Sequence, residues 1–96
     1  MSTTFVVNFH AADGHADELR ALLAEGRDIS RRAAGCESFD LYQRDDEPDR
    51  FMFFERWATR DDHERNMADN IVASGHLAKL LPLLAGPPDA SFLDLV

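Results

Sequence analysis

One short segment, residues 51–57 (Phe-Met-Phe-Phe-Glu-Arg-Trp), constrains the fold more than any other part of the chain. Alternate side chains of a β-strand point to opposite faces of its sheet. One face of this predicted strand therefore carries Phe51, Phe53, Glu55 and Trp57. Because Met52 and Phe54 lie on the other face, both faces present large apolar groups and both need a cover. We expect helices on one side of the sheet and a second subunit or a second sheet on the other.

The length of the chain sets the domain count. Its 96 residues make one domain, residues 1–96, with a single core. A chain of this size buries only about 60–65% of the surface that its unfolded form exposes, so oligomerisation would add stability. The composition, 45% hydrophobic and 29% charged, is typical of a globular protein.

Charge and cysteine content limit the partners. Eighteen acidic residues against ten basic ones give a formal charge of -8, which repels nucleic acids and anionic membrane surfaces. The single cysteine, Cys36, can form neither an internal disulfide nor a thiolate-rich metal site. No apolar run is long enough to span a membrane, and the N-terminus does not resemble a secretory signal. We therefore expect a cytoplasmic protein without nucleic-acid, membrane or metal partners.

The order of elements predicts the fold class. Strand 4–10 is followed by a helix that opens at Asp13-Gly14 and ends at Gly35, and then by a hairpin of strands 36–44 and 51–57. The next helix is capped by Thr59 and interrupted at Ser74-Gly75. A last helical segment, which Pro82 shortens, precedes strand 90–96. This β-α-β-β-α-β order is the ferredoxin-like α+β arrangement, a four-stranded antiparallel sheet with helices on one face. Pairing two such sheets across a twofold axis would cover the open face, so we expect a homodimer through that face.

Several short sequence segments, taken in order, resemble those of a known family. They are the strand around Asn8, residues 33–39 with Ala-Gly-Cys-Glu-Ser-Phe, residues 54–57 (Phe-Glu-Arg-Trp) and residues 73–77 (Ala-Ser-Gly-His-Leu). In this order they resemble the antibiotic biosynthesis monooxygenase family, a branch of the dimeric α/β-barrel proteins. The resemblance spans nearly the whole chain.

The resemblance implies oxidation of small aromatic quinol, anthrone or phenolic polyketide substrates with dioxygen, without metal or flavin. Triplet dioxygen reacts slowly with closed-shell molecules unless the substrate itself donates an electron, as a deprotonated phenol or anthrone does. The protein then has to provide a dry aromatic pocket, a donor for the oxyanion and a base. The sequence has no dinucleotide fingerprint, phosphate loop or cysteine cluster, in agreement with a cofactor-free reaction.

Three residues are candidate catalytic groups: Asn8, Asn70 and His76. Asn8 interrupts an apolar strand, so a core-facing amide there either lines a cavity or bonds to backbone. The resemblance places a substrate-contacting Asn at this strand and a His in the segment of His76. We assign Asn8 and Asn70 to the oxyanion and His76 to the base. The alternative for His76 is a position beside a helix cap.

Four further residues are candidate substrate contacts: Trp57, His63, Asn66 and Met67. The last three share one helical stripe with Asn70 through their i, i+3, i+4, i+7 spacing, which indicates a partly polar cavity. Alternatively, this stripe is a solvated flank with Met67 at the core edge. Trp57 is predicted to form a pocket wall, or else to belong to the core or an interface.

Three other functions remain to be weighed. Ile71 and Leu81 stand where the haem-degrading branch of the family carries Trp and an axial His, which disfavours haem cleavage. The chain could instead be a non-catalytic dimeric barrel that binds a small apolar ligand, or an isomerase of a small carbonyl compound. A cavity with converging polar groups favours an enzyme, and an interior filled by side chains favours the non-catalytic module.

Overall fold

The secondary structure follows the predicted β-α-β-β-α-β order in the computed structural model, which describes residues 2–96. The elements are β1 (Thr3–His10), α1 (Ala16–Arg31), β2 (Cys36–Gln43), β3 (Arg50–Trp57), α2 (Arg60–Asn66), a π-helix (Met67–Val72), α3 (His76–Leu80), a 3₁₀-helix (Leu81–Leu83) and β4 (Asp89–Leu93). The four strands form one antiparallel sheet in the order β2-β3-β1-β4. The predicted ferredoxin-like α+β fold is confirmed.

The ends of the two main helices have local causes. Asp17 and Glu18 lie in the first turn of α1 and Arg31 in its last, the arrangement that the helix dipole favours. Helix α2 starts at the predicted cap, because the Thr59 hydroxyl accepts a hydrogen bond from the Asp62 backbone N–H across 3.1 Å.

The core lies between one face of the sheet and the helices. β1 contributes Phe5, Val7 and Phe9, and β3 contributes its odd-numbered aromatic residues, all buried. Leu19 and Leu23 of α1 are fully buried against them. No helix within residues 2–96 covers the opposite face of the sheet, which is called the open face below.

The second helix and the end of β4 differ most from the sequence prediction. The helix that begins at Arg60 changes to a π-helix at Met67, where the Ala73 N–H donates to the Ala68 carbonyl five residues earlier. Pro82 lies in the 3₁₀-helix, as expected of a residue that cannot continue an α-helix. β4 ends at Leu93 instead of residue 96, because its pairing with β1 ends there.

No helix within residues 2–96 is both long enough and apolar enough to cross a membrane.

Candidate functional site

A cavity of about 220 Å³ lies between the core face of the sheet and the helices. Its wall is predominantly apolar and aromatic. The sheet contributes Phe5, Val7, Phe9, Phe39, Phe53 and Ala90, and the helices and the loop before β4 contribute Met67, Ile71, Leu77, Leu80 and Pro88. A concave, largely apolar site of this kind is typical of small-molecule binding.

Five polar side chains also line the cavity, and each is no more than 6% exposed: Ser30, Glu55, His63, Asn66 and His76. They come from α1, β3, α2 and α3 and therefore from every layer around the cavity. Buried polar groups are expensive unless they are hydrogen-bonded, so their concentration at one cavity is informative.

Glu55 is the acid among these five side chains. Its carboxyl Oε1 accepts a hydrogen bond from the Trp57 indole Nε1–H across 2.9 Å, and the side chain is 3% exposed. Burial raises the pKa of Glu55 from 4.5 to about 7, while the bond from Trp57 partly opposes the rise. A carboxyl group titrating near neutrality inside a cavity is suited to proton transfer.

His63 presents two unsatisfied nitrogens. Both Nδ1 and Nε2 are buried without a hydrogen-bond partner among the described residues. The ring packs 4.3 Å from the Phe5 ring and 5.1 Å from the Phe92 ring, centroid to centroid. Burial lowers the pKa of His63, so the imidazole is held in its neutral form with one donor and one acceptor.

Asn66 is held by a short chain of hydrogen bonds. Its Nδ2 donates to the Ser30 hydroxyl across 3.0 Å, and its Oδ1 accepts from the Asn70 Nδ2 across 2.8 Å. Asn70 does not line the cavity and acts on it only through Asn66. These hydrogen bonds fix the orientation of the Asn66 amide and link α1 to α2.

His76 reaches the cavity because α1 carries a glycine opposite it. A Cβ at Gly26 would lie 2.8 Å from the His76 Nε2. The absence of a side chain at Gly26 therefore allows the imidazole to lie against the helix backbone, where it is 6% exposed.

The structure brings together four of the predicted site residues: His63, Asn66, Met67 and His76 all line the cavity. Trp57 is fully buried behind the cavity and bonds to Glu55, which does line it. The interpretation of this helical stripe as a solvated flank is therefore wrong for His63 and Asn66, which are 6% and 5% exposed.

The core-facing position expected for Asn8 is wrong. Asn8 is exposed on the open face, opposite Met52 of β3, whereas its neighbours Val7 and Phe9 face the core. It lies instead in a shallower, more polar depression of about 510 Å³ with His10, Tyr42 and Arg50. Side chains alternate along a strand, so an error of one position in the predicted alternation of β1 places the Asn8 amide on the wrong face of the sheet.

Asn70 also misses the predicted cavity position, and the cause is the π-helix. In a regular α-helix, Asn70 would lie on the same side of the helix as His63 and Asn66. The wider π-turn instead brings Ile71 to the cavity wall beside Met67. The sequence pattern offered no signal for this change of helix type.

Glu55 lines the cavity but was not among the candidate site residues predicted from the sequence. The alternation in residues 51–57 already placed this carboxyl group on the same face as Phe51, Phe53 and Trp57. An acid among core aromatic residues is itself a signal for a site, since a charged group is costly to bury. Within residues 2–96 there is no group of three or more His, Cys, Asp or Glu side chains that could hold a metal ion.

Comparison with known proteins gives one family and a common fold. The family described as antibiotic biosynthesis monooxygenase matches residues 3–69. No curated protein matches the sequence significantly.

Three solved structures illustrate the fold. Rv0793 from Mycobacterium tuberculosis is 24% identical with a TM-score of 0.89, and the match covers 100% of this chain and 96% of that one. SO0527 from Shewanella oneidensis is 24% identical with a TM-score of 0.85, covering 96% and 88%. An Asn→Ala variant of SnoaB, a cofactor-independent oxygenase from Streptomyces nogalater, is 19% identical with a TM-score of 0.83, covering 98% and 92%. Because the family match extends over more than half of the sequence, the chain belongs to the antibiotic biosynthesis monooxygenase family.

Proposed function

We propose that this protein is a cofactor-independent monooxygenase that oxidises small aromatic quinols, anthrones or related phenols with dioxygen. The observation that carries the proposal is the aromatic cavity of about 220 Å³ on which Glu55, His63 and His76 converge. Membership of the family and the similarity to a cofactor-independent oxygenase support it.

The reaction needs no external reductant. An anthrone methylene and dioxygen give a ketone and water, so the substrate supplies all the electrons that reduce dioxygen. The substrate must first lose a proton, because only the electron-rich anion transfers an electron readily to dioxygen. A dry cavity with a proton acceptor and a neutral hydrogen-bond donor supports this first step.

The size of the cavity limits the substrate. An engineered cavity of about 150 Å³ in another protein binds benzene. A cavity of about 220 Å³ therefore favours, within the proposed class, quinols and phenols of one or two fused rings over three-ring anthrones. The few polar groups at its wall favour a ligand with one or two hydroxyl or carbonyl groups on an apolar ring system.

The cavity residues fall into complementary roles. Met67 packs against the apolar ring. The neutral imidazole of His63, whose two nitrogens are buried and unpaired among the described residues, donates a hydrogen bond to the developing oxyanion once its ring turns towards the cavity. The amide of Asn66, which Ser30 and Asn70 hold in place, orients a substrate hydroxyl group. His76 contacts the substrate from the opposite helix, and Trp57 supports the wall through Glu55.

A second copy of the chain is proposed to cover the open face. Val6 and Phe54 lie directly opposite each other there, next to Met52, and Tyr42 beyond Met52 is 54% exposed. Pairing two such faces across a twofold axis would bury one apolar patch with another, which supports a homodimer.

The proposed function is tested by dioxygen uptake with metal-free protein and a panel of benzoquinols, naphthoquinols and anthrones. A matched pair of variants locates the reaction: Ile71→Trp fills the cavity, whereas Val72→Trp adds the same side chain at a position that is 51% exposed. We expect saturable uptake that falls at least about tenfold in Ile71→Trp and stays near wild type in Val72→Trp, since a blocked cavity excludes the substrate.

Three results would contradict the proposal. Uptake no faster than autoxidation across the panel would favour a ligand-binding barrel, and hydrogen exchange of a carbonyl substrate without uptake would favour an isomerase. Equal uptake in both tryptophan variants would move the reaction out of this cavity.

A further inference from the structure

We propose that Glu55 is the catalytic base of this site, and that its carboxylate Oε2 removes the proton that activates the bound substrate. The inference rests on the proposed function, because it names the group that performs the first step of that reaction. It replaces His76, the base expected from the sequence.

The geometry of Glu55 leaves one carboxyl oxygen available. Oε1 is occupied by the Trp57 Nε1–H across 2.9 Å, and Glu55 has no second side-chain hydrogen bond within residues 2–96. The residue lines the cavity although it is 3% exposed. A ligand in the cavity is therefore the available partner of Oε2, and the bond from Trp57 holds the carboxyl plane in a single orientation.

A purely structural role explains Glu55 poorly. An amide oxygen would accept the Trp57 hydrogen bond equally well without burying an acid. A structural buried carboxylate is usually paired with a cation, yet Glu55 forms no salt bridge with any residue that the structure describes. An unpaired acid in an apolar cavity is the arrangement that produces a proton carrier active near neutral pH.

The neighbouring titratable groups do not take over this role. From α2, the pKa of His63 is lowered by burial, so it is neutral. From β2, the pKa of the Cys36 thiol is raised by burial and further by the charge of Glu55, so it stays protonated. From α3, His76 lies against Gly26 of α1, and the cavity-facing residues of α1, β1 and β4 (Gly26, Ser30, Phe5, Val7, Phe9 and Ala90) carry no charge.

Glu55 is regenerated within one turnover, because the proton that it removes from the substrate returns to the reaction intermediate. Glu55 takes a proton from the acidic C–H or O–H of the substrate, and the electron pair stays on the substrate. That pair forms the carbon–oxygen bond with dioxygen, and the peroxide anion recovers the proton from Glu55. Loss of the second hydrogen with cleavage of the O–O bond releases water and leaves the carbonyl group, so atoms and electrons balance.

The base is tested without dioxygen by hydrogen exchange. Wild type, Glu55→Gln and Glu25→Gln are incubated anaerobically in deuterated buffer with 2-tetralone, a two-ring carbon acid, and exchange is followed by NMR. Gln keeps the acceptor for Trp57, and Glu25 is an exposed glutamate of α1 outside the cavity wall. We expect wild type and Glu25→Gln to accelerate exchange alike and Glu55→Gln to be at least about 10²-fold slower, the typical contribution of a general base.

The single tryptophan offers a second measurement that needs no substrate. Trp57 is the only Trp of the sequence and bonds directly to Glu55. Its fluorescence should titrate with a midpoint near neutrality in wild type and His76→Gln, and this titration should be lost in Glu55→Gln. A titration that survives in Glu55→Gln would assign the proton to another group and overturn the proposal.

The outcomes separate the two proposals. Exchange that depends on Glu55 without any dioxygen uptake would keep Glu55 as the base and refute the monooxygenase. Dioxygen uptake that stays within about threefold of wild type in Glu55→Gln would keep the monooxygenase and refute the base, because a lost general base costs far more than that. Wild type that does not accelerate exchange would also refute the base.

Discussion

The Trp57 indole Nε1–H donates a 2.9 Å hydrogen bond to Oε1 of Glu55, two residues earlier on the same strand. Both side chains lie on the core face of β3, and both are at least 97% buried. The indole therefore satisfies its only donor with an acid instead of backbone or solvent. This pair connects the aromatic core to the wall of the cavity.

The raised pKa of Glu55 makes stability depend on pH. Between the unfolded value of 4.5 and the folded value of about 7, the folded state binds one more proton, so the free energy of unfolding falls as pH rises through this window. The shift corresponds to a loss of about 3 kcal/mol in total. Urea titrations of wild type and Glu55→Gln at pH 5 and pH 8 measure it, and the loss should be absent in the variant.

The comparison with Glu55→Gln is needed because His63 acts in the opposite direction. Its lowered pKa means that the unfolded state binds the proton more readily, so its contribution to stability rises with pH up to about 6.5. An equal pH dependence in wild type and Glu55→Gln would show that Glu55 titrates normally.

His63→Phe should stabilise the fold and impair the site. The two ring nitrogens of His63 have no partner in the described chain, whereas the ring packs among Phe5, Phe92 and Trp57. Removing unsatisfied polar atoms should raise the free energy of unfolding by about 1–2 kcal/mol. Thermal unfolding and 2-naphthol binding measure the two effects, and a less stable variant would contradict the first.

Gly26→Ala should be nearly neutral for stability but weaken ligand binding. Alanine favours the helix by about 1 kcal/mol over glycine, while its Cβ would lie 2.8 Å from the His76 Nε2 and push the imidazole towards the cavity. A double-mutant cycle with His76→Ala isolates this contact: in that background, Gly26→Ala should become stabilising by about 1 kcal/mol. The same effect in both backgrounds would contradict the contact.

Phe54→Arg should disrupt the proposed homodimer. In analytical ultracentrifugation we expect wild type at twice the chain mass of 10.8 kDa and Phe54→Arg at the single mass, because like charges would meet across the twofold axis. Glu25→Arg, on α1 and away from the open face, serves as the control. A monomeric wild type would contradict the proposal.

The fold was largely predictable, because each element carries a local signal. Thr59 caps α2 where its hydroxyl accepts the Asp62 N–H, and the alternation of residues 51–57 gives the correct two faces of β3. The cavity was predictable in part: the spacing of His63, Asn66 and Met67 identifies three of its residues.

The remaining site residues depend on features that spacing does not encode. The face of Asn8 depends on strand phase, and polarity alone did not reveal that Val7 and Phe9 face the core. The role of Glu55 depends on burial and on its bond to Trp57, which only the packed structure contains.

The π-helix at Met67–Val72 makes the chemistry of the cavity sensitive to a single codon. At present Ile71 lies at the wall, and Asn70 reaches it only through Asn66. Deleting one residue inside this segment would restore regular α-helical phase and turn a different side chain towards the cavity. Related genes can therefore exchange an apolar for a polar contact at this position by changing length, with no substitution anywhere in the cavity.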